Sequence, residues 1–124
     1  MSAAAHVPPG WPAEVRPAGA PDWEATAVAW LFDLCPPEYR AHAVLRRHPI
    51  VLARFAAQHC EAGVAAARHG LATLRADLGS LVDDTVVEAA LAAYDREGRR
   101  LAAAARGVRM LEEALRGRRF VPRL

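Results

Sequence analysis

Two long stretches without a strong helix breaker occupy the second half of the chain. The first extends from about residue 49 to residue 78, and the second from about residue 84 to residue 116. Between them, Gly79 and Ser80 form the expected turn, and a connection this short forces the two helices to pack antiparallel. Asp83, Asp84 and Thr85, with Glu88 three residues on, are expected to supply the N-cap and capping box of the second helix. We therefore predict an all-α fold built on a long, coiled-coil-like helical hairpin.

Apolar side chains recur every three or four positions along both stretches, as they do on a helix with one buried face. The seam on the first stretch comprises Ile50, Ala53, Ala57, Cys60, Val64, Ala67, Leu71, Leu74, Leu78 and Leu81. The seam on the second comprises Val87, Leu91, Tyr94, Gly98, Leu101, Ala105, Val108 and Leu115, with Leu111 shifting the register late. Residues near the middle of both seams are small, which predicts that the two helices approach closely.

The chain before the hairpin predicts one or two short helices. The first should begin after Asp22, a favourable N-cap residue, and end near Leu34, because Pro36 and Pro37 cannot continue it. A second helix is expected from residue 37 to about residue 46, since proline is tolerated in a first helical turn.

The first 21 residues contain five prolines and two glycines, a composition that opposes helix. Trp11 lies in the middle of this arm, which favours an arm that packs on the helices as a strap over the alternative of a free, disordered arm. The expected organisation is therefore a proline-rich arm (1–21), one helical domain (22–117) and a basic tail (118–124).

A hairpin of this kind leaves each helix with a second apolar edge. The edge comprises Leu52, Phe55, Ala62 and Ala66 on the first helix and Val86, Ala90 and Ala104 on the second. A contiguous apolar edge is unfavourable in water, so the short helices, a second copy of the chain, or both must cover it. We predict a homodimer that forms a helical bundle.

Residues with catalytic or metal-binding chemistry show no established spacing. The sequence has no glycine-rich phosphate loop and no nucleophile or zinc motif. His59, Cys60 and His69 point in different directions on one helix, so they cannot chelate one ion together. The other cysteine, Cys35, falls at the end of the first helix, and neither thiol has a basic neighbour on its own helix face. We expect a protein that is not an enzyme and has no cofactor or metal.

All 16 basic residues are arginine, a usage typical of GC-rich bacterial genomes that carries no information about function. Five of them lie along the second long helix: Arg96, Arg99, Arg100, Arg106 and Arg109. Two interpretations stay open, a surface that binds phosphates or acidic proteins and a solvated helix face that nearby acids partly neutralise.

All charged side chains of the C-terminal tail are basic, and no acidic residue follows residue 116. Gly117 and Pro122 oppose helix there, so the segment should be extended. The candidate partner-binding residues are Arg116, Arg118, Arg119, Phe120 and Arg123. A protein partner should depend on Phe120 and Val121, whereas a nucleic acid should depend on the arginines and lose affinity steeply with salt.

Neither a signal peptide nor an apolar run long enough to span a bilayer is apparent. We therefore expect a soluble, cytoplasmic protein that does not contact a membrane. The leading hypothesis is a non-enzymatic module that acts as a homodimer and binds an unidentified protein partner. The alternative is a nucleic-acid-binding or nucleotide-binding regulatory protein that uses the arginines of the second long helix and the tail.

Overall fold

A computed structural model of the chain describes residues 7–117, which contain helices, turns and extended linkers and no β-strand. In chain order the elements are α1 (Trp23–Leu34), a 3₁₀ helix (Pro37–Ala41), α2 (Ala43–Arg47), α3 (Pro49–Leu78) and α4 (Asp84–Leu115). The long helices α3 and α4 pack against each other as an antiparallel hairpin, and the short elements precede it. The predicted all-α hairpin fold is therefore confirmed.

The helix ends follow the predicted breakers closely, with one exception between α1 and α3. The single helix expected from residue 37 to about 46 is instead a 3₁₀ helix and α2, separated by His42 with extended backbone (φ −87°, ψ 112°). The predicted capping chemistry of α4 is also wrong, because Asp83 makes no side-chain cap. Glu88, the expected partner in that capping box, instead binds Arg75 across the hairpin at 2.6 Å.

The hydrophobic core lies where α1 packs across the base of the hairpin, which we define as residues 49–60 of α3 and 104–115 of α4. Leu31, Leu52 and Leu111, one from each of the three helices, are fully buried. Each buried leucine contributes roughly 1.5–3 kcal/mol relative to an exposed position. The core is completed by Val15, Ala27, Phe32, Cys35, Leu45, Ala53, Ala56, Ala57 and Val108.

The described part of the N-terminal arm, residues 7–21, packs on α4 at the base. The Trp11 indole N–H donates a hydrogen bond of 3.0 Å to the Val15 carbonyl oxygen, and this bond closes the arm into a turn. A Cβ added to Gly107 would lie 3.0 Å from Pro12 Cγ and 2.9 Å from Trp30 Cη2. The absence of a side chain at position 107 is therefore what lets the arm and α1 approach α4 this closely.

Among residues 7–117, the hydrophobic clusters that include α1 and the arm lie at the base, and the distal half of the hairpin, residues 61–103, adds only Leu101 to them. Its helices do approach closely, since a Cβ added to Gly98 would lie 3.3 Å from Ala67 Cβ. Several predicted seam residues are nevertheless exposed, because no third element covers them: Leu71 is 38% exposed and Leu78 43%. Leu81 is not a seam residue at all, since it lies in the turn and is 73% exposed.

Within residues 7–117, the predicted second edge is covered only in part. Leu52 is fully buried beneath α1, so the chain covers this residue itself. Phe55 and Val86 remain 40% and 50% exposed. Ile50, which was assigned to the seam, is 37% exposed.

Candidate interaction surface

A shallow groove runs between α3 and α4 over the distal half and reaches the start of the base. It consists of two adjoining depressions of about 270 and 300 Å³, which share Val64, Arg68 and Ala102. The apolar floor comprises Val64, Ala67, Leu71, Gly98, Ala102 and Ala105. The charged rim comprises Glu61, Arg68, Asp95, Arg99, Arg106 and Arg109. We refer to this surface as the distal groove.

The distal groove lies on the side of the hairpin away from α1. Gly107 faces Trp30 of α1, whereas Arg109 lines the groove. Residues two apart on a helix point about 200° apart, so these two positions face opposite sides of α4. The same angle separates Ala104, which belongs to a buried cluster that Leu34 of α1 packs against, from Ala102 in the groove floor. The groove and α1 therefore lie on opposite faces of α4.

The rim contains both paired and unpaired arginines. Arg109 binds Glu61 at 2.7 Å and Arg99 binds Asp95 at 3.1 Å, so these two charges are largely neutralised by the chain. The hydrogen bond from Arg109 to Glu61 raises the pKa of Arg109. Within residues 7–117, by contrast, Arg68 and Arg106 have no ion-pair partner. Two guanidinium groups are thus available to an acidic ligand.

The predicted site in the C-terminal tail is described only at its first residue. Arg116 caps the end of α4, where it lies 3.7 Å from Glu112 and half of its side chain is exposed. Arg118, Arg119, Phe120 and Arg123 lie outside the described residues. Their role in partner binding stays a prediction.

The histidine and cysteine side chains at the base take part in packing. His59 contacts Tyr39 edge to face, with ring centroids 6.1 Å apart. Both cysteines are buried free thiols, and burial raises the pKa of Cys35 to about 11 and also raises that of Cys60. Neither thiol is a thiolate near neutral pH, so neither has the charge state of a nucleophile. Among residues 7–117, no three histidine, cysteine, aspartate or glutamate side chains are grouped closely enough to hold a metal ion.

Sequence reasoning missed the distal groove, although the residues of its rim were visible. Arg106 and Arg109 were recognised only as part of a basic helix face, and Arg68 was not considered. A helical projection would have placed Glu61, Val64 and Arg68 on one side of α3, since they are three and four residues apart. The projection does not show which side of α4 lies next to this side of α3.

No known protein family, curated protein or solved structure matches this chain. In residues 7–117, no helix is both long enough and apolar enough to cross a lipid bilayer.

Proposed function

We propose that the chain is a non-enzymatic protein-interaction module that binds an acidic amphipathic helix in the distal groove. The observation that carries this proposal is an open apolar floor beside Arg68 and Arg106, two arginines without an acidic partner in the described chain. An amphipathic helix can lay apolar side chains into such a groove and place its charged side chains along the rim. The module is proposed to act as a homodimer in the cytoplasm.

The length of the groove limits the size of the ligand. On α3 it extends from Glu61 to Leu71, and ten residues of helix span about 15 Å. A bound helix of about three turns would match this length, with apolar anchors at positions i, i+3 or i+4, and i+7. The acidic side chains of the bound helix would reach Arg68 on the α3 side of the groove and Arg106 on the α4 side.

The composition of the rim favours a protein ligand over a nucleic acid. Glu61 and Asp95 are part of the same rim, and carboxylates repel the phosphates of a nucleic acid backbone. They also hold Arg109 and Arg99 in ion pairs, which leaves few free cations along the groove. A peptide helix can place apolar or basic residues next to these carboxylates, because its charge varies along its length.

Fluorescence anisotropy with designed helical peptides would test the proposal. One peptide carries a leucine face and a glutamate face, and the second is identical except that lysine replaces glutamate. We expect the purified chain to bind the acidic peptide and not the basic one. A duplex DNA oligonucleotide serves as a third probe, and tight binding to it that weakens steeply with salt would favour the nucleic-acid alternative.

A matched pair of variants locates the binding site. Ala102→Glu places a carboxylate in the groove floor and should reduce affinity for the acidic peptide at least tenfold, since like charges that meet at an interface cost several kcal/mol. Ala103→Glu makes the same change at the next, exposed residue, which does not line the groove. Equal affinities of the two variants for the acidic peptide would contradict the proposal.

A further inference from the structure

We infer that a second copy of this chain is the acidic ligand: the tip of each hairpin, residues 77–88, where α3 ends and α4 begins, occupies the distal groove of the other in an antiparallel dimer. The inference rests on the proposed function of the groove and names its occupant. It also assigns the predicted homodimer to one particular surface.

The tip has the chemistry that the groove requires. Its charged residues are all acidic, namely Asp77, Asp83, Asp84 and Glu88, of which Glu88 is paired with Arg75. Beside them lie apolar side chains that the chain leaves in water: Leu81 is 73% exposed, Val86 50% and Val82 38%. Aspartates at the start of α4 also interact favourably with the helix dipole. The dipole does not, however, account for the exposed leucine and valines between and beside these acids.

The charges fix the relative direction of the two hairpins. The tip is acidic, whereas the groove has four arginines against two carboxylates on its rim. Two hairpins side by side in the same direction would bring tip to tip and groove to groove, so that like charges would meet. An antiparallel arrangement brings each acidic tip to the arginines of the other groove, and complementary potentials of this kind select partner and register.

The spacing along the helix is compatible with a two-fold dimer. Leu78, the last residue of α3, lies 14 residues beyond Val64 in the groove floor, a distance of about 21 Å along α3. If the tip of one copy meets the groove of the other, the two-fold axis crosses α3 about midway, beside Leu71. A two-fold axis brings the same surface of both copies together, so Leu71, which is 38% exposed, would pack near its own symmetry mate. Leu78, seven residues further along, lies on the same side of α3.

Two charge-reversal variants of the full chain test the inference by sedimentation equilibrium. The groove variant is Arg68→Glu with Arg106→Glu, and the tip variant is Asp83→Arg with Asp84→Arg. We expect the wild-type chain to sediment at twice 13.4 kDa. Each variant alone should self-associate at least tenfold more weakly, since like charges then meet at both tip-to-groove contacts.

Mixing the variants gives the decisive measurement. In a heterodimer of the groove variant with the tip variant, both contacts again join opposite charges, so an equimolar mixture should recover the dimer. A single chain with all four substitutions should also dimerise, which shows that the substitutions leave the chain folded. Arg96→Glu, a matched reversal on α4 outside the groove, should self-associate like the wild-type chain.

Several outcomes would overturn the inference. The first is that the wild-type chain is monomeric at micromolar concentration. The second is that the charge-reversal variants dimerise as tightly as the wild type, and the third is that their mixture stays monomeric. A monomeric wild-type chain that binds the acidic peptide through Ala102 would leave the proposed function intact and reject only the second copy. In the opposite case, the separate variants are monomeric and their mixture forms a dimer, but the monomeric tip variant does not bind the acidic peptide. This result would support the inference and reject the proposed binding of other acidic helices.

Discussion

The two halves of the α3–α4 hairpin have the same periodic sequence pattern and different environments. At the base, the arm and α1 cover the hairpin, and Leu52 and Leu111 are fully buried. In the distal half the same two helices continue without a third layer, and Leu71 and Leu78 remain about 40% exposed. A seam of apolar residues thus ensures that two helices pair, but burial of those residues depends on what covers the pair.

The difference between the halves also separates two roles. The base has the leucine core, the tryptophans and both buried thiols, and it accounts for most of the apolar burial. The distal half has the groove, the acidic tip and the exposed leucines, so it combines low burial with a surface that is suited to binding. Regions of low local stability are where binding surfaces and moving elements are commonly found.

The largest contrast in stability should come from leucine truncation in the two halves. Leu111→Ala leaves a cavity in a three-helix core and should lower the free energy of unfolding by about 2–5 kcal/mol. Leu78→Ala, at a position that is 43% exposed, should cost less than about 1 kcal/mol in the monomer. Urea unfolding at low protein concentration measures both changes. Similar losses would show that the distal half is as well covered as the base.

A glycine pair on α4 tests the same contrast on one helix. In Gly107→Ala the new methyl group would lie about 3 Å from Trp30 and Pro12. Overpacking of this kind costs about 1–3 kcal/mol, more than the gain of up to about 1 kcal/mol in helix propensity. In Gly98→Ala the nearest atom is Ala67 Cβ at 3.3 Å, so the two effects should nearly cancel.

Thermal unfolding with near-ultraviolet circular dichroism would measure this pair. The melting temperature should fall for Gly107→Ala, and the tryptophan signal should change because Trp30 is displaced. Gly98→Ala should retain both the wild-type melting temperature and the wild-type spectrum. A destabilised Gly98→Ala variant would mean that the distal helices pack more tightly than the base.

The buried thiols at the base should give a pH dependence that the distal half lacks. Burial raises the pKa of Cys35 to about 11 from an ordinary value of 9.0. Between these pH values the folded state keeps a proton that the unfolded state releases, so the free energy of unfolding should fall as pH rises from 9 to 11. The stabilisation is complete below pH 9 and is lost as pH passes through about 11.

Alkylation by iodoacetamide, followed by peptide mapping, would follow this thiol directly. Cys35 should reach half of its maximal rate near pH 11, because only the thiolate reacts. A reporter thiol introduced by Ala72→Cys, at an exposed position of the distal half, should reach half of its maximal rate at an ordinary thiol pKa. If Cys35 reacted with the pH profile of the reporter, the base would have to open to solvent readily.

The smallest effect should come from the ion pair that spans the hairpin near its tip. Arg75 and Glu88 lie 2.6 Å apart, but about 60% of each side chain is exposed. Exposed ion pairs contribute little and are screened by salt. Glu88→Gln should therefore lower the melting temperature slightly at low ionic strength and not at all at high ionic strength. Glu24→Gln on α1, whose carboxylate is in no ion pair of the described chain, is the matched control.

Helix positions could be predicted from the sequence because their signals are local. The prolines after Leu34 end α1, and the Gly79–Ser80 turn ends α3. The prediction failed where a second element decides the outcome. Leu81 was expected on the buried seam, but it lies in the turn and is 73% exposed, since none of the described elements packs on the tip. Leu52 was assigned to the second edge with its cover left open, and α1 is the element that buries it. Glu88 was assigned to a cap, but it binds an arginine that lies across the turn.

The candidate site was also only partly accessible to prediction. Arginines of α4 were identified as a possible binding surface, and Arg106 and Arg109 do line the distal groove. Arg68 and the small residues of the floor gained significance only when α3 and α4 were seen together. The tail residues, which the sequence favoured most, lie outside the described part of the chain apart from Arg116.

The sequence by itself determined that this chain forms two long antiparallel helices with a short turn and weaker elements before them. Breakers, periodicity and turn length act over a few residues, so they can be read without knowing the fold. Only the tertiary structure decided which half of the hairpin α1 and the arm would cover, and hence where the groove stays open. That choice depends on contacts between residues far apart in the chain, such as Gly107 with Trp30 and Pro12, whose close packing no local pattern encodes.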